Sequence, residues 1–287
     1  MVMATDRQNI PKRHHFVSVM QLTRFTDDTG RLYSFNKRAG QILYGSPKNA
    51  FVERHLYSIE NEDGSKDTRL EVAFSGLEGQ TSRIIDKIIS AVRAGFAPRL
   101  TPSEKADWDL FFYMQWRRVP DMHQKVISKA EADANLDEVF DSLRNEVPDR
   151  IDEINELDTP ATRRRLMQSS KVGAIASVSP EVMGNLAKRG LAVMKVYAPG
   201  EKFVIGSLPI VRFGGALDSE GTEAWLPITP DIIAGIGAFG SGVRLSPIFD
   251  PQVVRKVNRA TASQSTIFAG PSRAEVEELR DSLEEPD

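Results

Sequence analysis

The chain has no cysteine among its 287 residues. This excludes disulfide bonds, thiolate zinc sites and cysteine nucleophiles, so a metal site would have to use histidine and carboxylate ligands. The sequence also has no run of about eighteen apolar residues, which predicts no transmembrane helix. Residues 1–13 contain no apolar core of the kind found in signal peptides. From these absences we expect a cytoplasmic protein that does not contact a membrane.

Excess charge of one sign is also missing from the chain as a whole, whose formal net charge is -3. Two segments depart from that balance. Residues 1–54 carry nine Lys or Arg against four Asp or Glu, and residues 131–158 carry eleven acids against two bases. The basic segment suits nucleic acid or another phosphate-containing substrate, and the acidic segment suits a protein partner. The alternative is that both are solvated surfaces without a ligand.

The order of the hydrophobic patterns predicts an α+β fold. Apolar residues at helical spacing predict a helix over Asp67–Ala94, and Thr101–Glu104 is typical of the start of another. After about residue 190, short apolar runs separated by Gly and Pro predict a mostly antiparallel sheet. Further expected elements are a short helix in His14–Phe25, strands at Arg31–Asn36, Gln41–Tyr44, Leu191–Tyr197, Lys202–Ile205, Ile210–Phe213, Ala224–Ile228 and Ile232–Ile236, and helices at Pro251–Gln264 and Arg273–Leu283.

These elements fit one large domain over residues 1–270, followed by a C-terminal helix and acidic tail over 271–287. Within the large domain we distinguish a basic paired-histidine region (11–60), a helical region (67–190) and a strand-rich region (191–270).

Two of the four histidines, His14 and His15, are adjacent. Histidine exchanges protons and binds metals near neutral pH, so both are candidate catalytic residues. In an extended segment they would point to opposite faces, whereas in a turn they would converge. The alternative is that one fills the core and the other is exposed.

Glu71 and Glu78 form a second candidate set on the long predicted helix. Seven residues place both carboxylates on one helix face, about 10.5 Å apart along the axis. That separation is too wide for one ion, so one would act as a ligand and the other as a base or a supporting group. The alternative is a solvent-facing pair that binds Arg69 and Arg83.

Two weaker candidates complete the set. Glu53 and His55 would share one side of an extended segment, where carboxylate and imidazole can form an orienting pair or bind a metal. Arg118 follows an aromatic helix, and its guanidinium could bind a phosphate or carboxylate. A salt bridge at the helix end is the competing interpretation for Arg118.

Several blocks of the sequence resemble the bacterial domain-of-unknown-function family numbered four-two-three-eight. In chain order they are Pro11–His15 with Leu22 and Phe25, Asn49–Glu53 with Tyr57, Glu71 with Glu78, Gln115–Pro120, Phe203–Pro209, Leu226–Pro230 and Val254–Asn258. Ser18 stands where the family usually has proline, and Ser207 stands where it usually has aspartate. The resemblance covers about residues 11–270 and brings no settled activity with it.

Two functions stay open from the sequence. The first is a hydrolase, a metal-dependent nuclease or phosphodiesterase, in which His14 or His15 and some of Glu53, Glu71 and Glu78 surround a divalent cation or form an acid–base pair. Arg118 would then hold the phosphate. The second is a non-catalytic binding or regulatory protein in which the same side chains form a structural network.

Overall fold

A computed structural model of the chain describes residues 13–61, 63–122, 128–215, 217, 219, 221–237 and 240–283. The start of the predicted basic segment and the acidic end, Glu284–Asp287, lie outside these residues. The chain divides into two compact units. Unit 1 comprises residues 1–14, 53–74 and 123–177, and unit 2 comprises residues 15–52, 75–122 and 178–287.

About half of the residues are helical and about a fifth are in strands. The α-helices are α1 (Val19–Leu22), α2 (Arg69–Arg93), α3 (Pro102–Arg117), α4 (Lys129–Glu146), α5 (Ile151–Leu157), α6 (Pro160–Ala176), α7 (Pro180–Lys188), α8 (Pro251–Gln264) and α9 (Arg273–Asp281). The strands are β1 (Arg13–His15), β2 (Leu32–Asn36), β3 (Gln41–Gly45), β4 (Val52–Arg54), β5 (Ile59–Glu60), β6 (Lys66–Asp67), β7 (Leu191–Val196), β8 (Ile205–Gly206), β9 (Val211–Phe213), β10 (Glu223–Thr229), β11 (Ile232–Ile236), β12 (Val243–Ile248) and β13 (Ile267–Gly270).

Unit 2 contains a five-stranded sheet of order β12-β7-β11-β10-β9, built wholly from residues after 190. Its neighbours pair antiparallel except β12 and β7, which pair parallel. A four-stranded antiparallel sheet of order β3-β2-β13-β8 joins two early strands to two late ones. The predicted α+β class, with a mostly antiparallel sheet after residue 190, is confirmed.

Helix α8 packs on one face of the five-stranded sheet. Val254 and Val257 of α8 lie in one buried apolar cluster with Phe203, Trp225 and Ile233. In a second cluster, α9 covers the four-stranded sheet, with members that include Phe35, Val204, Phe268 and Val276. Both clusters belong to unit 2, so this unit has the extended apolar core that stabilises a folded domain.

Unit 1 consists mainly of α4, α5 and α6 together with the β5–β6 hairpin. A capping box begins α4, because the Ser128 hydroxyl accepts from Glu131 N–H while the Glu131 carboxylate accepts from Ser128 N–H. Phe140 of α4 is buried, and the guanidinium groups of Arg144 and Arg163 lie 5.9 and 5.3 Å from its ring centroid. The unit therefore combines a small apolar core with many charged contacts.

The predicted helix over Asp67–Ala94 is confirmed as α2, and the predicted helix start at Thr101 is confirmed by a capping box with Glu104. Two predicted elements are wrong in part. His14–Phe25 begins as strand β1, because β1 pairs with β4, and turns helical only after Ser18 caps α1. The strand predicted at Lys202–Ile205 is reduced to Ile205–Gly206.

Strands β12 and β13 were not predicted. None of the helices in the described residues combines the length and hydropathy of a membrane span. The single-domain boundary stays a prediction.

Candidate functional site

The imidazole of His14 lies at the centre of a buried polar cluster in unit 1. Strand β1 turns His14 inward, where its side chain is wholly buried. Its Nδ1 accepts a hydrogen bond of 3.0 Å from the backbone N–H of Tyr57, whose ring stacks on the imidazole at 5.5 Å. The Glu71 carboxylate at the start of α2 lies 3.8 Å from the same Nδ1. An imidazole, a carboxylate and a phenol therefore meet in one cluster.

The bond from Tyr57 determines the tautomer of His14. A nitrogen that accepts an N–H hydrogen bond carries no proton, so the proton of the neutral ring resides on Nε2. Glu71 is beyond hydrogen-bond distance of Nδ1. Its side chain is 22% exposed, so Glu71 is the member of the pair that water reaches.

The loop that carries His55 and Tyr57 has a strained backbone. His55 adopts a positive φ of 55°, a conformation that costs a residue with a Cβ of order 1 kcal/mol or more. The Gln168 amide of α6 donates to the carbonyls of His55, Leu56 and Ser58 at 3.0 to 3.2 Å. These bonds stabilise the loop, in which the His55 ring lies 6.5 Å from the His14 ring.

Glu53 lies on β4 in the same unit. Its carboxylate is 43% exposed, and the Lys171 ammonium of α6 is 3.9 Å away. At that distance and exposure the ion pair is weak, since water screens both charges.

The remaining predicted residues lie in unit 2, where Arg118 follows the end of α3. Its side chain is only 1% exposed, and its Nη1 donates to Glu78 at 2.6 Å. In the amide orientation that satisfies its neighbours, Gln115 accepts from Nε and Nη2 of Arg118 at 3.2 and 2.9 Å and donates to Gln21 at 2.8 Å. Ser18 donates to the same Gln21 oxygen. Arg118 therefore contributes to a buried network that connects α1, α2 and α3.

His15 points away from His14, as alternation along an extended segment predicts. It is half-buried, and its Nε2 lies 3.2 Å from the carbonyl oxygen of Lys48. Thus His14 and Glu71 approach each other in unit 1, while Glu78 and Arg118 approach each other in unit 2.

Ser207, one of the two residues that depart from the family pattern, is part of another buried network in unit 2. Its hydroxyl donates to the Asp121 carboxylate and accepts from Ile267 N–H at 3.0 Å. Asp121 also accepts from the backbone N–H and the hydroxyl of Thr266, at 2.8 and 2.7 Å. The serine at this position provides a donor to a carboxylate, a role that an ionised aspartate cannot fill.

Within the residues that the structure describes, no group of three or more His, Asp or Glu side chains is arranged to hold a metal ion. The geometry of His14 agrees with this, because its Nδ1 lone pair is already used by Tyr57.

Sequence reasoning missed the roles of Gln168 and Asp121. Gln168 lies more than 100 residues from the loop that it stabilises, and a single glutamine on a helix gives no local signal. Asp121 directly follows the Gln115–Pro120 block, in which the sequence points only to Arg118. Tyr57 was noted only as the aromatic residue of a motif, and its backbone N–H proves to be the group that contacts His14.

Comparison with known proteins gives a family but no activity. Neither the curated proteins nor the solved structures give a match to this chain. A family model described as "Protein of unknown function (DUF4238)" matches residues 13–272. That range contains every predicted site residue and both units' described strands, and the chain therefore belongs to the DUF4238 family.

Proposed function

We propose that this protein is a hydrolase of phosphodiesters whose acid–base centre is Glu71 with His14. The observation that supports this is the 3.8 Å approach of a wholly buried imidazole to a carboxylate that is partly open to solvent. Pairs of titratable groups in contrasting environments are typical of acid–base catalysis. The positive φ of His55 beside them is a second feature that is common at functional sites.

In this proposal Glu71 is the general base. Its carboxylate takes a proton from water, the resulting hydroxide attacks phosphorus, and the bond to the leaving oxygen breaks as that oxygen takes a proton from solvent. His14 is a positioning residue. Its fixed ring orients the Glu71 carboxylate, and its electrostatic field acts on that carboxylate. The net positive charge of residues 1–54 suits a phosphate-containing substrate, since clustered cations attract anions.

The proposed reaction does not require a divalent cation, and the activity assay tests whether one contributes. His14 Nδ1 cannot bind a metal while it accepts from Tyr57 N–H. We therefore assign water activation to Glu71 itself.

A second candidate function is a non-catalytic binding or regulatory protein. Full burial of His14 and near-full burial of Arg118, each with hydrogen-bond partners, favours it, because structural polar networks have these properties. The acidic segment 131–158 would then offer a surface to a protein partner.

The two candidates are separated by an assay with bis(p-nitrophenyl) phosphate, single-stranded DNA and RNA, with EDTA or with added Mg²⁺, Mn²⁺ or Zn²⁺. For the hydrolase we expect Glu71→Gln to lower the rate by about 100-fold or more without lowering the melting temperature. His14→Asn retains an acceptor for Tyr57 N–H and should lower the rate less while shifting the pH profile. Glu138→Gln, an exposed acid of unit 1, is the matched control.

Three results are informative. No hydrolysis by the intact protein under any metal condition would overturn the hydrolase. Equal rates for Glu71→Gln and the intact protein would show that the activity resides elsewhere. A variant series that changes melting temperature alone would favour the structural network.

A further inference from the structure

A cavity of about 350 Å³ lies on the α8-facing side of the five-stranded sheet, within unit 2. Val254 and Val257 of helix α8 pack on that sheet face. Ala192, Met194 and Trp225 of the sheet and Val253, Lys256 and Val257 of α8 are among the residues that line the cavity. Its volume is at the lower end of the range for small-molecule sites.

The strand register explains which side chains of the sheet line this cavity. Arg244 of β12 is paired with Ala192 of β7, Ala192 with Gly235 of β11, and Gly235 with Trp225 of β10. Paired residues of neighbouring strands share one face of a sheet, so these four positions form a row across it. A Cβ at Gly235 would lie 1.9 Å from the Ala224 carbonyl oxygen, so this position in the row requires glycine.

Among the described residues that line the cavity, two carry positive charge and one carries negative charge. Arg244 on the sheet and Lys256 on α8 are exposed cations that line it. Glu223, the acid among these described residues, accepts a hydrogen bond of 3.2 Å from the Trp225 indole N–H. Beside it, Arg189 donates to the carbonyl of Gly237 at the cavity wall, and burial lowers the pKa of Arg189. A negatively charged group would therefore be attracted to this cavity.

The rest of the lining is apolar. Met194 and Phe213 are half-buried, and the Lys256 ammonium lies 5.2 Å from the Phe213 ring centroid. An anion bound at Lys256 would thus lie next to an apolar wall. A polar ligand would leave that wall unused, and a neutral apolar ligand would leave both cations without a new contact.

We propose that this cavity binds a small organic anion with an apolar body, of which a medium-chain carboxylate is the simplest example. The carboxylate contacts Lys256 or Arg244, and the chain lies on Met194, Phe213 and the edge of Trp225. This site is independent of the proposed hydrolytic centre, since all the residues that carry it belong to unit 2.

The test uses octanoate as the probe and octanol as its neutral partner, with tryptophan fluorescence and melting temperature as readouts on the full chain. We expect octanoate to change the fluorescence, because Trp225 lines the cavity, and to raise the melting temperature. Lys256→Gln and Arg244→Gln should each weaken octanoate binding by about 5- to 10-fold, or about 1 to 1.4 kcal/mol, with little effect on octanol. Arg255→Gln, on the same helix but paired with Glu201, is the matched control.

Ser246→Trp fills the cavity from its edge strand and should abolish binding of both probes. The proposal is overturned if octanoate changes neither readout, if octanol binds as tightly as octanoate, or if Lys256→Gln and Arg244→Gln bind octanoate like the intact protein. Undiminished octanoate binding by a folded Ser246→Trp variant would place the probe elsewhere and overturn it too.

Discussion

The two units differ in what surrounds their buried aromatic side chains. In unit 2, Phe203 is wholly buried in an apolar cluster that includes Val211 and Ile233. In unit 1, Phe140 is 4% exposed, but it lies beneath the guanidinium groups of Arg144 and Arg163. Both arginines bind Asp158, at 2.8 and 2.5 Å. The stability of unit 2 thus depends mainly on apolar burial, and that of unit 1 depends more on charge.

The pKa values of two carboxylates, one in each unit, are shifted in opposite directions. Burial raises the pKa of Asp109 in unit 2 to about 6, although Lys105 lies 2.6 Å away. Hydrogen bonds from Arg163 and then Arg144 lower the pKa of Asp158 in unit 1 to about 2. A buried acid favours its neutral form and a paired acid favours its charged form, so the units differ in their response to pH.

The largest difference in stability between the units should come from replacing one buried phenylalanine by alanine in each of them. We expect Phe203→Ala to lower the free energy of unfolding by about 3 to 5 kcal/mol, because a rigid apolar cluster cannot fill the space that the missing ring leaves. Phe140→Ala should cost about 1 to 2 kcal/mol, because long, partly exposed arginine stems can collapse into the space. Urea denaturation of both variants measures the difference, and equal losses would contradict the comparison.

A carboxylate placed in the buried network of unit 2 should have the next largest effect. Ser207→Asp puts a second acid against Asp121, and two such groups favour sharing one proton. Sharing raises the pKa of the introduced carboxyl. The loss in free energy of unfolding is therefore small at low pH and about 2 to 3 kcal/mol at pH 7, because stability is lost as the pH rises. Melting temperatures from pH 4 to 8 measure this. Ser207→Asn is the control, and the same slope in both variants would refute the expectation.

The raised pKa of Asp109 predicts a smaller effect with the same sign. Its contribution to stability is fully present below about pH 4 and is lost as the pH rises through about 6. The intact protein should lose on the order of 2 kcal/mol over this range that Asp109→Asn does not lose. Asp158→Asn should differ from the intact protein in the opposite sense, since the lowered pKa of Asp158 gives stability that is lost as the pH falls from about 4 to 2. Urea titrations at several pH values test both signs.

The smallest effect concerns the ion pairs of unit 1. Arg163 is 26% exposed and contacts Asp137 and Asp158 at 2.6 and 2.5 Å. Arg163→Gln should lower the free energy of unfolding only slightly at low ionic strength, and less again in about 1 M NaCl, where charges are screened. Hydrogen exchange of peptides from α4 and α6 is the local measurement. A cost that does not change with salt would show that packing on Phe140 outweighs charge.

Local chemistry made much of the fold predictable. Helix α3 begins at Pro102 because Thr101 and Glu104 cap each other's backbone N–H groups, a signal confined to four residues. Helix α8 matches its predicted bounds of Pro251–Gln264 for the same kind of reason, since Asp250 caps it. Strand β13 lacked such a signal. Ile267–Gly270 is a strand because β2 and β8 lie on either side of it, and both are distant in sequence.

The candidate site likewise has features that the sequence predicts and features that it does not. The spacing of His14 and His15 predicted opposite faces only for an extended segment, and convergence for a turn. It could not predict which of them is buried, because that depends on β4 and on the loop at Tyr57. Nor could it predict that Glu71 approaches His14 while Glu78 binds Arg118, since both glutamates share one helix face in the sequence pattern.

The sequence by itself determined the α+β class, the main helices and the residue types available for chemistry, because helix caps and apolar periodicity act over a few residues. Tertiary structure alone decided the contacts of each polar side chain, the tautomer of His14 and the charge around the sheet cavity. Those properties depend on groups that are close in space and far apart along the chain, where burial and hydrogen bonding change what each group can do.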